Sequence, residues 1–250
     1  MSGAVFVANL LQPLIDVANS VLLFFHDSVG LSWGLSIVGL TFLTRALILP
    51  LSIKQIRSMR AMAALQPQIK EIQEKYKDDR ERQQREMMRM YQENNVNPFA
   101  SCLPLVLQIP VFLSLFYLLR SDTFQKEIYA SGDPGFLFIP DLTEKATGID
   151  LVILLVLYAG TSVIAGLIMT GTSASKQQRF ITLGLPLLFI PFVIGFPAGV
   201  LVYWIATNFW TMGQQAVVKV FFPPPPQPTP EEIKATKPPP PPPKKKGRNR

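Results

Sequence analysis

The apolar residues of this chain are gathered into continuous blocks, and a block of about twenty residues matches the hydrocarbon thickness of a bilayer. The first clear block is Leu31 to Ile53, LSWGLSIVGLTFLTRALILPLSI, and others run over 98 to 119, 151 to 171 and 180 to 218. The blocks lack the alternating period of barrel strands, and an open strand edge cannot face lipid, so the pattern predicts a helical bundle. The last block divides in two. FITLGLPLLFIPFVIG at 180 to 195 is a brief span kinked by Pro186 and Pro191, Gly195-Phe196-Pro197 is a tight turn, and another span follows at once and ends near Val218. The expected class is therefore an all-α polytopic membrane protein with five transmembrane helices.

The polar stretches add three further elements. Within residues 1–28, Asn9, Gln12, Asp16 and Asn19 recur every three or four positions and leave Phe6, Leu10, Leu14, Val21 and Phe25 largely to the other side. This reads as an N-terminal helix lying in the outer interface, with a sixth span as the alternative. After the first transmembrane helix (29–53), residues 54–97 are helix formers with charge pairs four apart, Glu71 with Lys75 and Glu81 with Arg85. Asp78-Asp79 reads as a turn that caps a second arm, and Asn94-Asn95 before Pro98 as its end. The segment is an antiparallel cytoplasmic hairpin with Ile69, Ile72 and Tyr76 facing Met87 and Tyr91. Its methionines Met59, Met62, Met87 and Met88 offer an adaptable apolar surface to varied partners; a solvated linker is the plainer alternative. Residues 98–222 hold spans two to five, with an outer loop at 121–148 whose FLFIPDL (136 to 142) dips into the interface. From 223 to 250 the chain is proline-rich and basic with almost no apolar residues, which predicts an extended, disordered arm.

Composition sharpens this reading. Of 250 residues 48% are apolar, and the single Cys and single His exclude an internal disulfide and any site built from several such ligands. Cys102, at the entrance of a span, reads as a packing residue and His26 as an interfacial one. The net charge of +7 does not indicate free nucleic-acid binding, because the basic residues flank spans. None precedes Leu31; ten lie in 54 to 97, two in 172 to 179 and eight from Lys219 onward, against two in 121 to 149. By the positive-inside rule the N-terminus lies outside and the C-terminus in the cytoplasm. The terminal KKKGRNR has two candidate partners, the ribosome through its RNA and anionic lipid, or serves topology alone.

Arg45 is the candidate for chemistry. A guanidinium at mid-span costs about 2.5–3.5 kcal/mol on insertion scales and normally faces a cavity or a partner. No Asp, Glu or His occurs in the runs 98 to 119, 151 to 171 and 180 to 218, so the remaining company is water, hydroxyls, amides and carbonyls. At 1.5 Å per residue, Arg45, Gln108 and Asn208 each lie roughly 13–17 Å from the inner boundary. Trp204, Asn208, Thr211 and Gln215 share one face of the last span, and Thr41 lies one turn from Arg45. The expectation is a polar groove among three helices. Gly160, Thr161, Ser162, Ala165 and Gly166 of the third span read as packing residues that permit close helix approach.

These blocks carry a resemblance. TRALILPL at 44 to 51, QPQIKEIQEKYKDD and EMMRMYQENNVNPFASCLPLVLQIPVF of the hairpin and second span, FLFIPDLTEKATG, and FPAGVLVYWIATNFWTMGQQ at 196 to 215 together resemble the YidC-type membrane protein insertases. The resemblance covers roughly residues 10 to 220. It implies a five-helix core with a hydrophilic groove open to cytoplasm and lipid, an arginine at the position of Arg45 that meets polar or acidic parts of arriving substrates, and a hairpin that helps receive them. It also implies nascent membrane proteins as partners, the lipid bilayer, a Sec-type translocon as a further partner, and a place in the bacterial plasma membrane. The third span lacks the Gln that some relatives contribute, and no lipid-anchored Cys or large extracytoplasmic domain precedes the first span, which groups this chain with the short, Gram-positive-like forms. The function expected is insertion and folding of membrane proteins by a non-enzyme: no P-loop appears, no nucleophile–base pair sits in the spans, and no cofactor or metal is called for. A passive assembly scaffold and a small transporter or channel are the alternatives.

Overall fold

The computed structural model describes residues 2–97, 103–170 and 179–221; Cys102, the inner loop at 172–178 and the arm from 223 lie outside the described residues. The elements in order are α1 (Ser2–Leu23), α2 (Trp33–Ala64), α3 (Gln66–Lys75), α4 (Arg80–Glu93), α5 (Leu103–Leu119), α6 (Asp122–Ala130), α7 (Gly148–Thr170), α8 (Leu185–Leu188), α9 (Ile190–Val193) and α10 (Ala198–Phe221), with single π-type turns at Phe24–Ser28 and Phe180–Gly184. No strand forms among the described residues.

α2 and α7 are each long and apolar enough to cross a bilayer, and Val106–Leu119 and Thr182–Val193 are shorter apolar helices. Val152, Val156, Ile164 and Leu167 form an exposed row on α7, a surface that water would penalise and acyl chains would not. The 180–193 segment is broken where its sequence requires it. Pro186 and Pro191 stand at the starts of α8 and α9, because proline has no N–H to give to a continuous helix and is tolerated only in a first turn.

α10 runs through the middle of the bundle, against α2 and α7 along its length and α5 at one side. Leu201 of this helix is buried, together with Leu22, Ile37, Leu115, Leu119 and Leu154 of the elements that make up the same core. A Cβ on Gly199 would stand 2.9 Å from Leu119 Cδ1 and 3.0 Å from the Leu142 carbonyl, so a residue without a side chain is what lets the outer loop close on the helix. That closure satisfies two otherwise orphaned donors of the first turn: Ala198 N donates to the Glu144 carbonyl and Gly199 N to that of Leu142, both at 2.8 Å. At the same end Trp33 stacks on His26 at 3.9 Å, meets Phe124 edge-on, and donates from Nε1 to Ser131 Oγ at 2.7 Å.

α1 packs along α5 and against α2, and it has three faces where the sequence pattern suggested two. Ile15, Ala18 and Leu22 are buried, Leu10, Leu14 and Val17 are exposed, and Asn9, Gln12 and Asp16 form an exposed polar third side. The apolar residues split because half of them meet protein and half do not.

α2 continues without interruption past Ile53 to Ala64; composition changes at 54, but the residues that follow are good helix formers and the backbone does not stop. α3 and α4 then fold back on one another. Asp79 caps α4 by accepting from Arg82 N at 3.0 Å, and Leu65, Ile69, Met90 and Tyr91 make a small core with Met62, Ile72 and Met87 against it. Tyr76 stays outside that core. It ends α3 with φ −117°, turning its ring out between Lys75 Nζ at 5.4 Å and the Arg82 guanidinium at 5.0 Å.

Candidate functional site

Arg45 lies midway along α2 on the side turned toward α10. It is partly buried, its Nε is shielded from solvent without a hydrogen-bond partner, and the ion pairs Arg85–Glu81 and Arg89–Glu93 do not involve it. On α10 the Tyr203 hydroxyl and Thr207 Oγ1 are also buried, with no partner beyond one another. They stand one turn apart on α10, and Tyr203 is within electrostatic reach of the guanidinium. Buried polar atoms are almost always paired with protein or water, so three of them on facing helices mark a place built to accept polar company. Tyr203 and Thr207 escaped the sequence pattern, since a tyrosine in a span reads as core and a threonine as back-bonded to its own helix. The available signal was their spacing of four residues on the helix that also carries Asn208.

The other expected groove residues divide among several neighbourhoods. Thr41 is fully buried and its Oγ1 donates to the Ile37 carbonyl at 2.7 Å; Thr211 bonds the Thr207 carbonyl in the same manner at 2.8 Å. Both are the local back-bonds that hydroxyls make in apolar helices. Trp204 belongs to an aromatic layer: it stacks on Phe112 of α5 at 5.1 Å and touches Tyr158, Phe189 and Phe196. Gln215 is buried and Gln108 half-buried.

Asn208 makes a side-chain bridge between spans that its sequence position did not suggest. Its Nδ2 donates to Thr161 Oγ1 at 3.0 Å and to Ser162 Oγ at 2.9 Å, both buried on α7. The small residues of α7 thus do two things. Gly166 lets the chain at Thr182 and Leu183 approach, since a Cβ there would meet Leu183 at 2.7 Å, while the two hydroxyls one turn earlier hold the Asn208 amide.

In the hairpin, Met62 and Met87 pack into its small core and Met88 is exposed at 44%. Met59 lies on the extension of α2. No group of three or more His, Cys, Asp or Glu suited to a metal occurs among the described residues.

Comparison with known proteins agrees with this architecture. The family model described as 60Kd inner membrane protein matches residues 24–224. Proteins named membrane protein insertase YidC are similar to this chain: that of Streptomyces avermitilis is 36% identical over 225 residues, covering 78% of this chain and 53% of the relative. That of Histophilus somni is 35% identical over 194 residues, covering 77% and 34%, and that of Pasteurella multocida 35% over 198 residues, covering 79% and 35%. The chain therefore spans between about half and a third of the length of these curated relatives. Among solved structures, an active YidC insertase with its first transmembrane domain resolved superposes with a TM-score of 0.63 at 27% identity, covering 86% of this chain and 46% of that one. With most of its length matched by the family model and its helices superposing on a solved relative, the chain belongs to the 60Kd inner membrane protein family.

Proposed function

We propose that the chain inserts hydrophobic segments, with their short polar tails, into the bilayer and assists the folding of membrane proteins, and that it does so by solvation without turnover of a nucleotide. The observation that carries this reading is Arg45: a partly buried cation with no carboxylate partner among the described residues, near the buried hydroxyl of Tyr203 on α10, whose one neighbour in hydrogen-bond reach is Thr207. A recess of that kind stays hydrated and shortens the apolar distance a polar tail has to cross. Each full charge spared the bilayer centre is worth about 2.5–3.5 kcal/mol on insertion scales. Arg45 attracts carboxylates on the tail, and burial of the client's own apolar segment supplies the driving force. Gln108 and Asn208 extend the polar surface at the same depth, and Gln215 continues it toward the inner boundary.

The topology that serves this mechanism has five spans, N-terminus outside and C-terminus in the cytoplasm, with α1 at the outer interface and the α3–α4 hairpin on the cytoplasmic side. There the exposed Met88, with Met59, Met62 and Met87 of the same segment, receives nascent membrane proteins. The ribosome, through the basic arm, and a Sec-type translocon are the further partners of this reading. An insertion assay comparing Arg45→Lys, Arg45→Ala and Arg45→Glu tests it on clients with acidic N-terminal tails: Lys retains most activity, Ala loses much of it, and Glu is worst. Full activity of the Glu variant removes charge attraction as the mechanism.

A further inference from the structure

On the side of α10 away from Trp204, Asn208 and Thr211, a cleft of about 230 Å³ opens between α2, α7 and α10. Val38, Leu154, Leu157, Ile205 and Ala206 are among its walls, and every residue that lines it is apolar. Its roof is the turn Phe136–Ile139 of the outer loop.

That roof is held rigidly. Phe136 N donates to the Ile139 carbonyl at 2.8 Å and Ile139 N to that of Phe136 at 2.9 Å, leaving Leu137 and Phe138 as a two-residue tip. The Phe136 ring is seated so closely on Gly34 of α2 that a Cβ there would lie 2.0 Å from it, and Ile139 is buried. Leu137 is 84% exposed with φ +55°, a left-handed conformation that a bulky residue adopts only when its surroundings impose it. Behind the tip, Asp141 accepts from Thr143 N and Thr143 Oγ1, each at 2.7 Å, and from the Tyr129 hydroxyl. The protein thus holds an apolar tip in an unfavourable backbone conformation, over an apolar cleft.

The chemistry of the lining and of its surroundings selects the occupant. A lining without polar atoms gives water and polar headgroups nothing to bond. The cleft is bordered by exposed Phe42, Leu157 and Phe209 and is continuous with the apolar row of α7, where acyl chains are the surrounding medium. A site already shaped by its roof keeps the ordering cost of binding small. We propose that this cleft binds one acyl chain of a bilayer phospholipid beneath the Leu137–Phe138 turn. The bound chain fills the loop end of the bundle on the face of α10 opposite Trp204 and Asn208.

The test uses the full chain reconstituted in vesicles of phosphatidylethanolamine and phosphatidylglycerol that contain phosphatidylcholine with a diazirine midway along one acyl chain. After irradiation, tandem mass spectrometry locates the label. Leu154 and Val202, in the cleft, and Leu115 and Val193, outside it, are all buried at 6% exposure or less. Only a chain that enters the cleft reaches the first pair more than the second. The expected result is at least fivefold more label on Leu154 and Val202, falling to parity in Ala206→Trp, which fills the cleft. Parity in the wild-type protein overturns the proposal, as does an excess that a folded Ala206→Trp leaves unchanged. If Ala206→Trp does not fold, the wild-type ratio decides alone. A photoreactive residue at Phe138 that captures an inserting client segment, with no lipid label in the cleft, assigns the cleft to clients and also overturns it.

Discussion

Replacing Asn208 with alanine removes an amide that bridges α10 to two hydroxyls of α7, at 3.0 Å to Thr161 and 2.9 Å to Ser162. Interhelical side-chain bonds inside membranes average about 0.6 kcal/mol and reach about 1.7, so two of them are worth roughly 1 kcal/mol. Thr161 Oγ1 still donates to the Leu157 carbonyl at 2.6 Å when the amide is gone, so no new orphan donor is created there and the cost stays at the low end. With the small void left by the lost side chain, the expected destabilisation is about 1–2 kcal/mol, or roughly a five- to thirtyfold fall in the folded-to-unfolded ratio. The assay is reversible unfolding of the full chain in mixed micelles with increasing SDS. It is run as a double-mutant cycle between Asn208→Ala and the paired change Thr161→Ala, Ser162→Ala. A coupling of about 1 kcal/mol is expected. Additivity within about 0.3 kcal/mol refutes the bridge and leaves Asn208 as a residue of the polar surface only.

Gly34→Ala drives a Cβ into the Phe136 ring, which it would approach to 2.0 Å. It is expected to lower the melting temperature of the purified protein, with Phe136→Ala in the same chain restoring part of the loss; no rescue would show that the two residues do not interlock. Asp79→Ala deletes the side chain that accepts from Arg82 N and is expected to destabilise α4 by about 1 kcal/mol, read as faster amide exchange in α4 with exchange in α7 unchanged. Burial holds the Tyr91 phenol above its ordinary value. Its contribution to the hairpin is therefore fully present below the ordinary tyrosine value of about 10 and is lost as pH rises through the raised one. Far-UV circular dichroism between pH 9 and 11 should show a loss of helix that Tyr91→Phe lacks.

Local information settled much of this molecule. Blocks of apolar residues too long for a soluble core, punctuated by Pro186, Pro191 and Pro197, specify a helical membrane protein, and membership of its family was legible in five blocks of text. Arg45 was conspicuous because a charge in such a block has few places to go. Asp79 was readable as a cap because its oxygen bonds an N–H three residues away, within the same turn. What lay beyond reach were relations between helices. Spacing on one helix says which residues share a face, but the rotation of that face against a neighbour depends on side-chain packing summed over the whole bundle. Trp204 and Asn208 share a stripe on α10, yet one stacks on Phe112 of α5 and the other bonds two hydroxyls of α7. Tyr203 and Thr207 gained significance only when α10 came to rest beside Arg45. The seating of Phe136 on Gly34 joins residues a hundred positions apart in the chain. Periodicity is a property of one segment and is written in its residues; contact between segments is decided by the cooperative fit of surfaces, and only the folded bundle contains it.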